Sequence, residues 1–125
     1  MRGRALEAAF DRARDAFNRG DVEVVFALFS EDVEYVPPPT LYTGPPISGR
    51  DAVLEFWEDQ LGRFRSSSIE NLSLEEAGPG RFVRRAALRH VPDGGGDPLE
   101  YVIIQTTELR RGLVVRQVNE LDPAT

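Results

Sequence analysis

The sequence predicts an α+β fold in which helices cover one face of a mostly antiparallel sheet. The first observation is that apolar residues of the N-terminal half recur at helical spacing, in three segments that enclose one short strand. The second is that four alternating segments follow, separated by the turn sequences GPG, PDGGGDP and RRG. Helices followed by a meander of strands are typical of α+β proteins, and we expect one domain over residues 1–125.

Two helices are expected before the first strand. The first helix would end at Gly20, after an apolar stripe formed by Leu6, Ala9, Phe10, Ala13 and Phe17. Asp21 would cap a shorter second helix, because its side chain can accept a hydrogen bond from a free backbone N–H. The apolar face of this second helix would consist of Val22, Val25, Phe26 and Phe29.

A proline-rich connector separates the first strand from the third helix. The strand is expected at 32–36, and the three prolines at 37–39 lack the N–H donor that a central strand needs. Ser48, with Asp51 three residues later, predicts the start of the third helix. The apolar face of that helix would consist of Val53, Trp57, Leu61 and Phe64.

The last four strands are predicted at 68–77, 81–91, 99–110 and 113–122. A hairpin turn centred on Gly95 and Gly96 would place His90 opposite Tyr101, and Ala86 opposite Gln105.

Composition excludes several kinds of chemistry. The chain has no cysteine and no lysine, which excludes disulfides, thiolate nucleophiles, cysteine-ligated zinc and lysine Schiff bases. A single histidine excludes any site built on two, and no metal or cofactor is expected. The net charge of −6 disfavours binding to nucleic acid or to an anionic membrane. Residues 1–10 form no continuous apolar run, so we expect neither a signal peptide nor a membrane span, and a cytoplasmic location.

Three short motifs resemble one known superfamily. They are N-x-G-D at 18–21, G-x-x-A-[VI]-x-x-F-[WY] at 49–57 and G-x-V-V at 112–115. Together, in this order, they resemble the nuclear transport factor 2-like superfamily, with the SnoaL-like polyketide cyclases as the nearest branch and ketosteroid isomerase as a more distant relative. The resemblance implies a cone, in which a curved sheet wraps the three helices and leaves a pocket at its wide end. The proline-rich connector would then form the rim of the pocket, or else be a plain surface connector.

Strand alternation indicates which side chains share a face. Similarity to ketosteroid isomerase places one set inward: Phe82, Ala86, Leu88, His90, Tyr101, Ile103, Gln105, Thr107, Val115, Gln117, Asn119 and Leu121. Arg84 has the same parity, and a buried arginine would need a carboxylate or the open end of the sheet.

The catalytic residues of ketosteroid isomerase do not carry over to this chain. Its general base falls on Pro37, its oxyanion-hole acid on Gln105 and its first-helix tyrosine on Ala13, so that activity is not expected. Scytalone dehydratase needs a histidine pair, and the related epoxide hydrolases need an Arg-x-Asp pattern that is absent from the matching strand.

The polyketide cyclases need only one acid/base, and this leaves two function classes open. In the first class, an enzyme of the cyclase, isomerase or hydratase kind would use His90 or Asp32, with Tyr35 nearby; His90 is preferred because its ordinary pKa lies close to neutral pH. In the second class, the chain is a non-catalytic module whose cavity holds an apolar metabolite or whose sheet mediates dimerisation. Separately, His90 could be a surface or satisfied structural residue, and Trp57 could be plain core.

The expected ligand is a small apolar or aromatic metabolite, held by apolar walls and a few polar groups. The predicted ligand-binding residues are Phe17, Phe29, Pro37, Phe56, Trp57, Leu88, Tyr101, Ile103, Gln105, Gln117 and Asn119. In this hypothesis the amide side chains orient the ligand, although they could instead bond to one another.

The opposite face of the sheet is predicted to be apolar as well. Its residues would be Val83, Val102, Ile104, Val114 and Val118. Such a face is too apolar to remain in water, so we expect a two-fold homodimer through it, as the resemblance also implies.

Overall fold

The computed structural model describes residues 3–123 and has the predicted α+β architecture. Its elements are α1 (Gly3–Asn18), α2 (Val22–Val25), β1 (Phe29–Val36), β2 (Ile47–Ser48), α3 (Arg50–Gly62), β3 (Phe64–Gly78), β4 (Arg81–Pro92), β5 (Leu99–Arg110) and β6 (Leu113–Leu121). The six strands form one curved sheet in the order β2-β1-β6-β5-β4-β3. All neighbours are antiparallel except β1 and β6, which run parallel.

The α1–α2 junction follows the sequence signals. Gly20 adopts a φ of +77°, a conformation that glycine reaches without steric cost, and this ends the first helical segment. Asp21 Oδ1 accepts a hydrogen bond from the Val24 N–H at 3.3 Å, which confirms the predicted cap. The second helix is only one turn long. The prediction that Phe29 lies on it is wrong, because Phe29 is the first residue of β1.

The start of α3 differs from the prediction. Ser48 does not cap the helix, because it belongs to β2 and pairs with Glu34 of β1. The residue at the cap position is Gly49, with a φ of +96° and no side-chain hydrogen bond. Val53 and Trp57 are buried as predicted, whereas Phe64 begins β3 instead of closing α3.

The hairpin between β4 and β5 keeps the predicted faces in a different register. His90 lies opposite Leu99, and Ala86 lies opposite Ile103, so the pairing is shifted by two residues from the predicted one. Pro98 has no N–H to donate to the ladder, and β5 begins only after it. Side chains alternate with a period of two, so this shift leaves every residue of both strands on its expected face.

A bulge in β6 overturns part of the face assignment. The pairing steps from Glu108–Arg116 to Leu109–Val114, which leaves Val115 as an extra residue. Val114 is therefore buried on the helix side, and its predicted place on the outer face is wrong. Val115, which was predicted to face inward, is only half-buried. Leu121, also predicted inward, is 46% exposed near the strand end.

The outer face of the sheet retains an apolar centre. Val83, Val102, Ile104 and Val118 are half-buried there in the single chain. Ion pairs lie beside them on the same face, including Arg85 with the buried Asp122 at 2.7 Å. None of the helices that the structure describes is both long enough and apolar enough to cross a membrane.

We propose that this outer face forms a two-fold homodimer. Ile104→Glu places a carboxylate at its apolar centre, opposite Arg85, which already pairs with Asp122. Burial of the added charge is therefore unfavourable, and we expect the variant to be monomeric. Light scattering at tens of micromolar measures the mass. Leu113→Glu, on an exposed residue at the β5–β6 turn, is the matched control and should stay dimeric. A monomeric wild-type protein would contradict the proposal.

Candidate functional site

A cavity of about 310 Å³ lies between the helices and the inner face of the sheet. The side of α1 supplies Phe10, Ala13 and Phe17, and the sheet supplies Leu88 and Ile103. Apolar side chains make up most of the wall, as in most small-molecule sites, and the volume lies in the range of such sites.

Exposed residues mark the mouth of the cavity. Three residues both line the cavity and are exposed to solvent: Arg12 of α1, Val24 of α2 and Leu28 of the α2–β1 connection. Val24 and Leu28 are each 43% exposed, which is high for large apolar side chains. The opening therefore lies between the first helix and the segment that leads into β1.

Most of the predicted ligand-binding residues lie on the cavity wall. They are Phe17, Phe29, Trp57, Leu88, Ile103, Gln105, Gln117 and Asn119, and Tyr35 joins them. Three others do not line it: Pro37, Phe56 and Tyr101. The side chain of Pro37 is fully buried, and the next residue, Pro38, lines the cavity in its place.

Phe56 and Tyr101 contact other parts of the structure. The Phe56 ring packs edge-on against Tyr42 of the proline-rich connector, with ring centroids 5.7 Å apart. Tyr101 bonds to His90 and lines a separate surface depression with Thr40 and Leu88.

Sequence reasoning missed several wall residues. Phe10 was assigned to the first apolar stripe without a ligand role, and Thr107 has the same strand parity as Gln105. Both could have been found from periodicity. Val114 could not, because the bulge at Val115 reverses its face and leaves no local sequence signal.

An aromatic cluster forms one side of the cavity. Trp57 Nε1 donates a hydrogen bond to the Tyr35 hydroxyl at 2.9 Å, and both side chains are almost fully buried. Phe17 packs edge-on against the indole with centroids 5.4 Å apart, and Phe26 stacks on it at 6.4 Å. Burial raises the pKa of Tyr35 well above its ordinary value of 10, so the hydroxyl stays protonated and can act as a neutral hydrogen-bond donor.

A row of amides follows the aromatic cluster on the sheet. Asn119 Nδ2 donates to the Val36 carbonyl at 2.9 Å, and Gln105 Nε2 donates to Asn119 Oδ1 at 3.0 Å. Gln117 Nε2 donates to Thr107 Oγ1 at 2.9 Å. Gln105 and Asn119 therefore bond to each other and Gln117 bonds to a threonine hydroxyl, while all three amides line the cavity. Within residues 3–123, Gln105 Oε1 is buried without a hydrogen-bond partner.

Arg84 lies on the inner face, as its parity indicated, and is 7% exposed. Its Nη1 donates to Asn71 Oδ1 at 3.0 Å, and its guanidinium lies 5.1 Å from the centre of the Phe10 ring. Burial lowers the pKa of Arg84 to about 10, so the side chain is still a cation at neutral pH. Its Nε has no hydrogen-bond partner in the described part of the chain.

The structure does not bring the three predicted catalytic residues together on the cavity wall. Tyr35 lines the cavity, but His90 and Asp32 do not. Asp32 is exposed and accepts a hydrogen bond from Ser30 Oγ at 3.0 Å. It is three residues from Tyr35 along β1, and odd separations on a strand point to opposite faces.

His90 is fully buried at the other end of the sheet. Its Nδ1 lies 2.8 Å from Ser67 Oγ and its Nε2 lies 2.7 Å from the Tyr101 hydroxyl, so both ring nitrogens have partners. Phe64 stacks on the imidazole with centroids 4.6 Å apart. Burial lowers the pKa of His90 to about 4, which keeps the ring neutral at physiological pH.

The described residues offer no evident metal site. No group of three or more histidine, aspartate or glutamate side chains in residues 3–123 could hold a metal ion. Within the same range, the polar groups on the cavity wall are arginine, tyrosine, threonine and amide side chains, with no aspartate, glutamate or histidine among them. These groups can orient a ligand and stabilise negative charge on its oxygens.

The family profile of the SnoaL-like domain matches residues 10–117. The chain therefore belongs to the SnoaL-like family, within the nuclear transport factor 2-like superfamily. A search of curated proteins found no match to the chain.

Solved structures share the fold at low sequence identity. One is a nuclear transport factor 2-like protein of unknown function from Burkholderia pseudomallei, with a TM-score of 0.77, 19% identity, and coverage of 94% of this chain and 91% of that one. TerC, crystallised with polyporic acid, has a TM-score of 0.75 and 17% identity, with coverage of 94% and 91%. IdmH, a proposed polyketide cyclase from Streptomyces antibioticus, has a TM-score of 0.73 and 21% identity, with coverage of 95% and 93%.

We expect the imidazole of His90 to titrate near pH 4, well below its ordinary pKa of 6.5, because burial opposes the charged ring. His90 is the only histidine, so an NMR pH titration reports on it alone. The folded state binds the proton more weakly than the unfolded chain does. The contribution of His90 to stability is therefore complete above pH 6.5 and is lost as the pH falls towards 4.

The side chain of His90→Gln cannot take up that proton. Its melting temperature should therefore fall less than that of the wild type as the pH is lowered from about 7.5 to about 5. An imidazole that titrates at its ordinary pKa, with equal pH dependence in both proteins, would contradict the buried, neutral state.

Proposed function

We propose that this chain binds a small, mostly apolar, ring-containing metabolite in its cavity and acts on it as a cyclase, isomerase or hydratase. One observation carries the proposal. The cavity combines aromatic and aliphatic walls with a compact polar group formed by Tyr35, Arg84, Gln105 and Asn119. Such a combination holds an apolar body by burial and fixes its orientation by a few hydrogen bonds.

The polar group suits chemistry in which a ligand oxygen gains negative charge. The neutral Tyr35 hydroxyl and the Arg84 cation are both donors on the wall, and they lie in a site largely removed from water. Preorganised donors of this kind stabilise an enolate oxygen without reorganisation during the reaction. Aldol-type cyclisations, isomerisations next to a carbonyl and hydrations of conjugated enones pass through such oxygens.

His90 remains a proposed acid/base in this scheme, although the structure gives it an indirect position. Ser67 and Tyr101 occupy both ring nitrogens, so a proton from His90 would have to leave through one of those two hydroxyls. The low pKa also makes the ring a weak base at neutral pH.

A second candidate function is a binding module without turnover. The observation in its favour is the wall itself, which carries no aspartate, glutamate or histidine among the described residues. Two neighbours in fold support a cyclic ligand for either candidate: TerC was crystallised with polyporic acid, and IdmH is a proposed polyketide cyclase.

Ligand binding should change the fluorescence of Trp57, which is the only tryptophan and lines the cavity. We expect saturable quenching by members of a panel of hydroxyanthraquinones and steroid ketones. Ala13→Phe should abolish the quenching, because it places a ring in the cavity from the wall of α1. Ala8→Phe, on an exposed position of the same helix, is the control and should bind like the wild type. Quenching that is equal in all three proteins would place the ligand outside the cavity.

Liquid chromatography coupled to mass spectrometry of a compound that binds separates the two candidates, since a cyclase or isomerase product can have the mass of its substrate and then differs only in retention time. An enzyme should convert the compound during incubation, and the Ala13→Phe variant should not. Recovery of every binding compound unchanged, at stoichiometric and at catalytic protein concentrations, would favour the binding module and contradict turnover.

A further inference from the structure

Two neighbouring polar side chains in the cavity each have one unpaired atom. Arg84 and Gln105 face each other across the β4–β5 ladder, and both line the cavity. They are 7% and 5% exposed, so bulk water does not solvate them. Within residues 3–123, Arg84 Nε is a donor without an acceptor, and Gln105 Oε1 is an acceptor without a donor. Buried polar groups without partners are rare in native proteins, because each costs free energy.

The orientation of the Gln105 amide follows from its neighbours. The Val36 carbonyl can only accept, so Asn119 must present Nδ2 to it and must present Oδ1 to Gln105. Gln105 must then donate its own Nε2 to Asn119 Oδ1. The carbonyl oxygen of Gln105 is left for another donor, and a flip of the amide would break the network.

The charge around Arg84 is unbalanced. Among the described residues, the guanidinium contacts an amide oxygen and an aromatic ring, neither of which carries a formal charge. Asn71 in turn lies 3.5 Å from Asp11 Oδ1, but that carboxylate is exposed and reaches Arg84 only through the amide. A buried cation is costly unless an anion pairs with it.

The cavity is also more basic than the protein as a whole. The chain has 21 acidic and 15 basic residues, yet the two charged residues on the described cavity wall are both arginines. Arg12 lies at the mouth and Arg84 lies inside. An anion that enters the cavity would therefore meet positive charge at the opening and a desolvated cation within it.

We propose that the ligand of this cavity is a hydroxylated cyclic carboxylic acid. Less than 1 Å² of Arg84 Nε and of Gln105 Oε1 is accessible, so the two side chains must shift when the ligand enters. Its carboxylate then accepts a charge-assisted hydrogen bond from Arg84 Nε, and its hydroxyl donates to Gln105 Oε1. The hydrocarbon ring of this ligand packs against the apolar wall between Phe10 and Ile103. This inference rests on the proposed function, because it identifies the chemistry of the metabolite that the cavity takes.

Isothermal titration calorimetry with matched probes tests the charge and the hydroxyl separately. The probes are 4-hydroxy-2-naphthoate, 4-hydroxy-2-naphthamide and 2-naphthoate. The first two have nearly the same shape and differ in charge, and the third lacks the hydroxyl, which in the first two is too far from the carboxyl group to bond to it internally. We expect 4-hydroxy-2-naphthoate to bind about tenfold more tightly than the amide, as the loss of a charged hydrogen bond requires. We also expect the loss of the hydroxyl to weaken binding several-fold.

Two variants test whether Arg84 and Gln105 cause the preference for the acid over the amide. Arg84→Gln removes the cation, and Gln105→Glu supplies an internal carboxylate to Arg84 at nearly constant shape. Each should reduce the preference for naphthoate over naphthamide to near unity, and thermal unfolding checks that each protein is folded. Arg89→Gln is the control: it removes the same charge from an exposed residue paired with Glu100 and should keep the wild-type preference.

The outcomes are distinguishable. Equal binding of the acid and the amide by the wild type, or a preference that survives in the folded variants, would overturn the acid proposal and leave the proposed function intact. Equal binding of the two naphthoates would overturn the role of Gln105. If none of the three probes binds, and no compound of the fluorescence panel binds either, the proposed function itself fails, and the inference fails with it.

Discussion

The parallel pairing of β1 with β6 is the contact on which the rest of the molecule depends. It joins the helical N-terminal part to a meander that is otherwise continuous along the chain. Tyr35 pairs with Gln117 across this seam, Asn119 donates to the Val36 carbonyl over it, and Trp57 of α3 donates to Tyr35 from above. A parallel pair needs a long crossover, and here residues 37–112 serve as the crossover. At the far edge of the sheet Asn18 of α1 bonds to the backbone of Ile69 in β3, so the helices are held near both edges and the cavity lies beneath them.

The inner face of the sheet shows a compromise between stability and binding. A face that only packed against helices would be apolar throughout, since buried amides contribute little net stability even when paired. This face instead carries Arg84, Gln105, Gln117 and Asn119, all buried. Most of their hydrogen bonds are satisfied within the protein, which fixes their orientations. Violations of the simple pattern of apolar interior and polar surface concentrate where function is expected, and that is the case here.

Much of the fold could be predicted from residue periodicity, turn chemistry and three short motifs. The strand over residues 99–110 was predicted with its observed limits, and Asp21 caps its helix as expected. The family resemblance is confirmed by the match over residues 10–117. The prediction that Ser48 caps the third helix was wrong. Its sequence pattern fits both a helix cap and a short edge strand, and in the structure Ser48 pairs with Glu34. Such competition is settled by tertiary contacts that local sequence does not contain.

The residues of the candidate site could be predicted where side chains alternate regularly along a strand, and less well where bulges interrupt the strand. Gln105, Gln117 and Asn119 were placed on the correct face because side chains alternate along each strand, and for Gln105 this facing survives the two-residue shift of β4 against β5. The surroundings of Arg84 were not predictable, since its neighbour Asn71 lies on β3, whose bulges break simple counting. His90 was correctly predicted to face inward, yet it does not line the cavity. Strand alternation gives the face of a residue but not which part of that face borders the cavity.

The bulge at Val115 divides β6 into two segments that can change independently. Residues after it keep their facing through the ladder with β5, so the amides at Gln117 and Asn119 are insulated from length changes at the β5–β6 turn. Val114, before it, borders the cavity next to that turn. Insertions or deletions in the turn can therefore reshape one end of the cavity while the hydrogen-bonding end stays in register. Homologues with such changes could diversify in ligand size without losing the polar recognition of a common chemical group.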